Sequence, residues 1–246
     1  ATYIPKLNLF FSIAMRNIDN EDLHKIFPDL FSACPQSQIM DMLKAFSNFA
    51  EHSSIFFQPF LEPLVQRFCE IAQDTDNDIK LRNSAMNCLT SMAEGATELY
   101  QSSEEYYAPV FKTLIQVAAE INDDSPWEYD ANNDEPYQIA LDSIAILFEK
   151  FQNVDIFIPI IEMAINVLQQ DDVPWQTAYA SISALAEINM ITMNTIFESS
   201  KEEVQKMLFE KLATFLDIEC NPRTRIAVYN FIWKLSQHGV IFPLVN

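Results

Sequence analysis

The sequence predicts an all-α protein built from stacked helix pairs, an α-solenoid. The first observation behind this prediction is composition: only two of the 246 residues are glycine, while twelve are proline and 49% are apolar. Tight hairpins and phosphate-binding loops need glycine where the backbone takes a positive φ or closely approaches a ligand. Two isolated glycines therefore exclude Walker loops, dinucleotide fingerprints and most β architecture. The apolar share and the length still allow a sizeable core.

The second observation is an internal repeat of an Ala-rich helical pattern. It occurs at 42–51, 85–94, 140–149, 178–187 and 227–236, with an average spacing of about 46 residues, as in HEAT and armadillo helix pairs. A second, apolar segment marked by a proline recurs between these copies. Its prolines are Pro28, Pro63, Pro109, Pro159 and Pro243. Each repeat is thus predicted to pair a Pro-marked outer helix with an Ala-rich inner helix.

The repeats give a domain prediction. We expect one array over residues 1–246, with about five stacked HEAT pairs that form a right-handed superhelical arc. The approximate repeats are 1–18 (partial), 21–52, 55–98, 103–152, 154–190, 194–238 and 239–246 (the start of another). Repeat 103–152 carries an insertion at 120–135.

The third observation is the distribution of charge, whose net value is −20. The insertion holds seven acids and no base, and residues 113–200 hold fifteen acids against one base, Lys150, for a net charge of −14. Binding to nucleic acid or to anionic lipid requires clustered Lys and Arg. An acidic surface instead favours basic partners, so we expect no nucleic-acid and no membrane partner.

Two acidic motifs resemble metal sites. Asp74, Asp76 and Asp78 imitate the start of an EF-hand, but Ile79 and Ala85 replace the glycine and glutamate that the loop needs, so a capped turn between helices is favoured.

The other motif, Asp123, Asp124 and Glu128, is similar to the magnesium ligands of all-α prenyl-transfer enzymes. Pro126 interrupts this run and no second metal motif follows. We therefore predict no catalytic residue, no metal and no cofactor. The four cysteines form no C-x-x-C pair and are expected to be buried thiols in a reducing compartment.

Two tryptophans follow acidic turns, Trp127 in Asp-Asp-Ser-Pro-Trp and Trp175 in Asp-Asp-Val-Pro-Trp. For Trp175, at the start of an inner helix, we expect packing between repeats. For Trp127, packing and contact with a partner both remain open.

Other charged positions recur with the repeat. Glu94, Glu149 and Glu187 share one phase near the ends of inner helices, where they either form an acidic ladder that faces a basic cargo or are simply solvated helix ends. Basic residues open two inner helices, and we expect them to pair with Asp of the neighbouring repeat. They are Lys80, Arg82, Arg223 and Arg225.

This arrangement resembles the importin-β (karyopherin-β) family, and within it the importins that carry ribosomal proteins and histones. The resemblance extends from about residue 23 to residue 246. It is carried by segments 42–51, 60–63, 108–111, 172–187 and 221–227, together with the acidic, Trp-bearing insertion.

The resemblance implies a superhelix of HEAT repeats without enzymatic activity, acting as a monomeric nuclear import receptor that moves between cytoplasm and nucleus. Its implied partners are basic localisation signals of cargo proteins, the GTPase Ran, and the Phe-Gly repeats of nucleoporins. The acidic loop of such receptors contacts Ran and couples Ran binding to cargo release. By matching position, this partner-binding loop comprises Asp123, Asp124, Trp127, Glu128, Asp130, Asp134 and Glu135.

Two further hypotheses remain. An all-α metal-dependent enzyme rests only on Asp123, Asp124 and Glu128. A HEAT-repeat scaffold, such as a phosphatase regulatory subunit or another assembly platform, would have the same fold class. The irregular repeat lengths and the acidic insertion favour the transport receptor.

Overall fold

Helices account for all of the regular secondary structure in the residues that the structure describes. The structure is a computed structural model that describes residues 3–125, 127, 134–151, 154–170, 172–188 and 202–237. The described α-helices are α1 (Tyr3–Ala14), α2 (Glu21–Ser32), α3 (Ile39–Ser53), α4 (Leu61–Gln73), α5 (Ile79–Gly95), α6 (Thr97–Gln101), α7 (Glu104–Ala118), α8 (Pro136–Lys150), α9 (Val154–Leu168), α10 (Trp175–Glu187), α11 (Glu202–Thr214) and α12 (Pro222–Gln237). Short 3₁₀ segments at Gln36–Gln38 and Ser54–Phe60 precede α3 and α4.

The chain forms two compact units. The first unit is Ala1–Thr113 with Asp134–Pro136, and the second is Leu114–Asn133 with Tyr137–Asn246. In the first unit α3 and α4 both pack against α5, and α1 packs against α3; in the second unit α10 packs against α9 and α12. The Ala-rich segments lie within α3, α5, α8, α10 and α12, so two inner helices contact each other in the first unit, α3 and α5, and two in the second, α10 and α12.

Small side chains let the inner helices approach closely. Ala50, Ala85 and Ala93 have no exposed surface. The Cys88 thiol of α5 lies 3.2 Å from the Leu43 carbonyl oxygen of α3, to which it donates. A side chain of one helix can reach the backbone of the next only where nothing bulkier separates them.

The Pro-marked helices begin earlier than their prolines suggest. Pro28, Pro109 and Pro159 lie inside α2, α7 and α9 rather than in the first turn, whereas Pro63 is the third residue of α4. Polar residues ahead of the proline set the true start. Asn20 caps α2 through its Oδ1 atom, which accepts from the backbone N–H groups of residues 22 and 23 at 2.9 and 3.3 Å.

The Asp74–Asp78 segment is a capped turn, as the failed calcium pattern indicated. Asp78 is the N-cap of α5, and its Oδ1 atom accepts from the Lys80 backbone N–H at 2.9 Å. Arg82 is buried, and its Nε atom donates to the Ala72 carbonyl oxygen at the end of α4 over 2.8 Å. The side chain therefore joins the two helices of the pair by satisfying a carbonyl that a helix end leaves unpaired.

Two of the four cysteines match the expectation of buried thiols. Cys69 and Cys88 are buried, whereas Cys34 and Cys220 are partly exposed, and all four are free. Burial raises the pKa of the Cys88 thiol well above its ordinary value. This thiol therefore stays protonated and serves as a hydrogen-bond donor within the helix packing.

A cluster of phenylalanine rings forms the core of the first unit. Phe46 of α3 lies at its centre, fully buried. Its ring centroid is 4.5 Å from that of Phe57 and 5.0 Å from that of Phe68, and the rings of Phe11 and Phe31 lie within 6.4 Å. These separations match favourable aromatic pairs, so one side chain connects four helical segments.

Phe46→Ala should destabilise the first unit strongly, because it removes a buried ring and leaves a cavity among four other rings. We expect the free energy of unfolding in urea to fall by about 3–5 kcal/mol. Phe46→Leu, which refills much of the volume, should cost less. Ile26→Ala, a substitution of a half-exposed side chain on α2, is the control, and an equal loss there would contradict the central role of the ring.

Candidate functional site

A groove of about 540 Å³ crosses three consecutive inner helices of the second unit. Its lining residues lie on α8, α10 and α12, together with Trp127 of the insertion. Small, aromatic and charged side chains all line it. The lining residues are Trp127, Tyr137, Gln138, Leu141, Asp142, Ala145, Tyr179, Ser183, Ala186, Glu187, Arg223, Ile226, Ala227, Asn230, Trp233 and Lys234.

Helix packing determines which side chains reach the groove. On α10, Ala178, Ala180 and Ala184 are buried toward the neighbouring helices, so positions 179, 183 and 187 face the groove. The Thr224 hydroxyl donates to the Trp175 carbonyl oxygen at 3.2 Å and holds the start of α12 against the start of α10. Trp175 itself is half-buried and begins α10, as its place after a Pro predicts.

The first part of the acidic insertion is a closed turn. The backbone N–H of Asp124 donates to Asn122 Oδ1 at 3.0 Å, and the backbone N–H of Asn122 donates to Ser125 Oγ at 3.1 Å. The Ser125 backbone N–H also donates to the Asn122 carbonyl oxygen at 3.2 Å. Asn and Ser side chains stabilise such turns by replacing backbone hydrogen bonds. The carboxylates of Asp123 and Asp124 consequently remain on the exposed side of the turn.

Arg223 holds this turn against α12. Only 5% of the residue is exposed, and its Nη2 atom donates to the carbonyl oxygens of Asp123, at 3.4 Å, and of Ser125. The guanidinium carbon lies 4.2 Å from the centre of the Trp127 ring, the geometry of a cation–π contact. Arg223 was expected to pair with an Asp of the neighbouring repeat, but these contacts are to backbone carbonyl oxygens of the insertion in repeat 103–152.

Trp127 therefore packs against Arg223 and also stays accessible to solvent. One face of its ring lies against Arg223, yet 59% of the residue is exposed at the groove. Tyr179 lies beside Arg223 and Ser183, and its burial raises the pKa of its phenol despite the opposing effects of these two neighbours. The groove thus presents neutral aromatic surfaces around its charged groups.

Glu187 and Lys234 form an ion pair within the groove. The Lys234 Nζ atom lies 3.0 Å from Glu187 Oε1, and about a third of each side chain is exposed. Asp142 on α8 accepts from Gln138 Nε2 at 3.2 Å. The groove therefore holds two carboxylates from different inner helices, one of which is paired across to α12.

The residues of the predicted partner-binding loop do not all lie at the groove. Asp123 and Asp124 are exposed in the turn, while Glu128 and Asp130 lie outside the described residues. Asp134 and Glu135 are exposed, and the Asp134 carbonyl oxygen accepts from Asn83 Nδ2 at 2.7 Å within the first unit.

The three glutamates of the predicted acidic ladder also lie in different places. Glu187 lines the groove, whereas Glu149 is exposed at the end of α8 and does not line it. Glu94 is half-buried in the last turn of α5, in the first unit. Of the eight predicted residues that the structure describes, Trp127 and Glu187 are the two that line the groove.

The sequence did not reveal the roles of Lys234 and Trp233. Residues 223, 226, 227, 230, 233 and 234 lie on one face of α12 at helical spacing and all line the groove. That spacing was visible in the sequence, but it does not distinguish a face that lines a groove from one that packs against another helix.

The first unit contains a separate groove of about 470 Å³ beside the Pro-marked helices α2 and α4. Pro28 and Pro63 both line it, together with aromatic and aliphatic side chains. These apolar residues are Phe27, Phe31, Ile39, Met42, Phe60, Leu64 and Ile71.

The described residues also bear on metal binding and on insertion into a membrane. Within the described ranges, no three His, Cys, Asp or Glu side chains are grouped so that they could hold a metal ion. None of the helices in the same ranges has the length and apolar content needed to cross a bilayer.

Solved structures of a karyopherin share this fold. The karyopherin Kap121p bound to the extreme C-terminus of the protein phosphatase Cdc14p superposes with a TM-score of 0.75 at 14% identity, over 89% of this chain and 22% of that one. Kap121p bound to RanGTP gives 0.74 at 15% identity, over 88% and 22%, and Kap121p bound to Nup53p gives 0.70 at 15% identity, over 90% and 22%. No protein-family model matches the sequence, and the curated proteins yield no significant relative.

The chain has the fold of a karyopherin segment. The prediction of an all-α HEAT-repeat solenoid is confirmed by this likeness. The chain spans about a fifth of the length of the Kap121p chains that it matches.

Arg223→Met should release the acidic turn, because it removes both carbonyl contacts and the stacking on Trp127. We expect a loss of about 1–3 kcal/mol in the free energy of unfolding and faster amide hydrogen exchange at residues 121–125. Arg225→Met removes the same charge from the same helix and is the control. Unchanged exchange in the turn of the Arg223 variant would contradict the anchoring role.

Proposed function

We propose that this chain is the cargo-binding segment of a nuclear import receptor, which binds basic localisation signals on the inner-helix surface of its second unit. The observation that carries the proposal is the groove across α8, α10 and α12, where Asp142 and Glu187 stand among exposed aromatic side chains. A groove of this kind accepts an extended segment whose cations reach the carboxylates and whose aliphatic stems contact the aromatic rings.

Charge around the groove supports the choice of a basic partner. Residues 113–200, which include the groove-lining parts of the insertion, α8 and α10, carry a net charge of −14. Such a field attracts Lys- and Arg-rich segments before contact and raises their association rate. Salt at physiological concentration screens this attraction beyond about 8 Å, so binding should weaken as salt rises.

The other proposed partners are those that the resemblance to importins of ribosomal proteins and histones implies. We assign cargo release to Ran-GTP, with the exposed carboxylates of Asp123 and Asp124 on the insertion facing the basic surface of Ran. Kap121p structures bound to RanGTP and to Nup53p support the kinds of partner. The receptor would act as a monomer without a cofactor and shuttle between cytoplasm and nucleus.

The groove in the first unit is the candidate site for nucleoporin Phe-Gly repeats. Its aromatic and proline walls fit a phenylalanine ring, and it lies beside two consecutive Pro-marked helices.

Titration of a Lys-rich localisation peptide into the chain tests the main proposal. We expect binding at roughly 0.05 M salt and an affinity about tenfold lower at roughly 0.3 M salt. The same peptide with Gln in place of Lys should not bind. Absence of binding at the lower salt concentration would refute the proposal for this segment.

A charge-matched pair of variants locates the site within that experiment. Asp142→Asn with Glu187→Gln neutralises two groove carboxylates, whereas Glu162→Gln with Glu210→Gln neutralises two exposed carboxylates on α9 and α11. Both variants have the same net charge. The groove variant should lose about tenfold in affinity and the other about twofold or less. Equal losses would show that binding depends on total charge rather than on the groove.

Ile39→Glu tests the second groove, because it places a charge among the apolar walls. We expect it to reduce capture by a Phe-Gly repeat peptide immobilised on beads by about tenfold, since a carboxylate at this half-buried position disfavours an apolar ring beside it. Ile26→Glu, on α2 but outside the groove lining, should leave capture unchanged. Equal capture by both variants would place nucleoporin binding elsewhere.

A further inference from the structure

The ion pair between Glu187 and Lys234 means that the groove already holds a lysine of its own. Glu187 is the last residue of α10, and Lys234 lies in the last turn of α12. The two side chains meet at 3.0 Å across neighbouring inner helices, and both line the groove. Glu187, one of the three glutamates that the repeat pattern assigns either to an acidic ladder or to solvated helix ends, is thus neutralised by an ammonium group from the chain itself.

We propose that Lys234 is an internal competitor for the basic partner: it occupies Glu187 in the free protein and is exchanged for a lysine or arginine of the bound segment. This inference rests on the proposed function, because it concerns the same groove. It makes Lys234 a residue that sets affinity and specificity, although its own charge has the same sign as that of the ligand.

The exposure of the pair makes exchange feasible. About a third of each side chain is open to solvent, so water hydrates the Lys234 ammonium as soon as it leaves Glu187. An ion pair of this exposure is weak, unlike a buried pair whose disruption leaves an unsolvated charge. Lysine also suits the role better than arginine, whose planar fork would hold a carboxylate at two points.

The displaced ammonium has a second favourable place. Lys234 lies in the last turn of α12, where unpaired carbonyl groups and the helix dipole favour a cation. Moving from Glu187 to this helix end needs only rotation about the side-chain bonds. The backbone of α12 can stay in place while Lys234 leaves Glu187 and a cation of the ligand replaces it.

The competitor also explains how an acidic groove could reject weak ligands. A single lysine on an unrelated protein gains little, because it must first replace an equivalent contact. A segment with several cations gains the additional contacts to Asp142 and to the exposed rings of Trp127 and Trp233. Glu187 has one cationic partner both before and after the exchange. Selection among ligands therefore depends on the residues that flank the exchanged cation in the ligand.

Removal of the competitor should tighten binding. Titration of the Lys-rich peptide at physiological ionic strength, where charges more than about 8 Å apart are screened, compares Lys234→Met with Lys206→Met. Lys206 pairs with Glu210 at 3.8 Å on α11 and lies outside the groove lining, so its loss changes the net charge equally. We expect Lys234→Met to bind about two- to fivefold more tightly than the unmodified chain, and Lys206→Met to change affinity by less than about 1.5-fold.

The same substitution in a Glu187→Gln background isolates the exchange. There Lys234 has no carboxylate to occupy, so Lys234→Met should have the same small effect as Lys206→Met. Lys234→Gln, which keeps a polar side chain, should reproduce the gain, and thermal unfolding of each variant confirms that it is folded.

The outcomes separate this inference from the proposed function. If the unmodified chain binds the peptide and Lys234→Met binds it no more tightly than Lys206→Met, the inference is overturned while the proposed function stands. Weaker binding by Lys234→Met also overturns it, since Lys234 would then support the groove. If no chain binds the peptide even at low salt, both proposals fail.

Discussion

The close approach of consecutive inner helices is the constraint on which the rest of the structure depends. Alanine at the contacts allows a thiol of α5 to reach a carbonyl of α3, and a hydroxyl of α12 to reach a carbonyl of α10. Once the helices lie this close, their remaining faces have fixed neighbours. The groove of the second unit depends on this spacing, because its lining residues lie on α8, α10 and α12. Bulky residues in place of the buried Ala178, Ala180 and Ala184 would separate the helices and move the lining residues apart.

Charge acts on two length scales around that groove. At long range, the acids of residues 113–200 produce a negative field that selects basic partners. At short range, the two cations of α12 that line the groove already have partners, Arg223 the backbone of the insertion and Lys234 the carboxylate of Glu187. The groove is therefore far less acidic at contact than its surroundings. Attraction and recognition are thus separate properties, one depending on total charge and the other on local pairing.

The fold could be predicted from the sequence because its signals are local and repeated. Alanine spacing, proline punctuation and capping residues such as Asn20 and Asp78 each specify helices over a few positions. The prolines are less informative about helix starts, because Pro28, Pro109 and Pro159 lie inside α2, α7 and α9 rather than in the first turn. The site was predicted only in part. Trp127 and Glu187 followed from motif and phase, but Lys234 reaches Glu187 from 47 residues away. Pairings of that kind depend on tertiary packing, which single-sequence patterns do not encode.

The contact between Arg223 and the insertion has an evolutionary consequence. The guanidinium group binds the carbonyl oxygens of residues 123 and 125, and every amino acid carries a carbonyl oxygen. Substitutions of the outward-facing side chain at residue 123 therefore leave the anchor intact, as long as the turn itself still forms. Arg223 of α12 therefore keeps this surface in place during evolution, while the side chains exposed on the surface can change. A protein built in this way can acquire new partners by changing the exposed residues of a turn whose place in the fold is already settled.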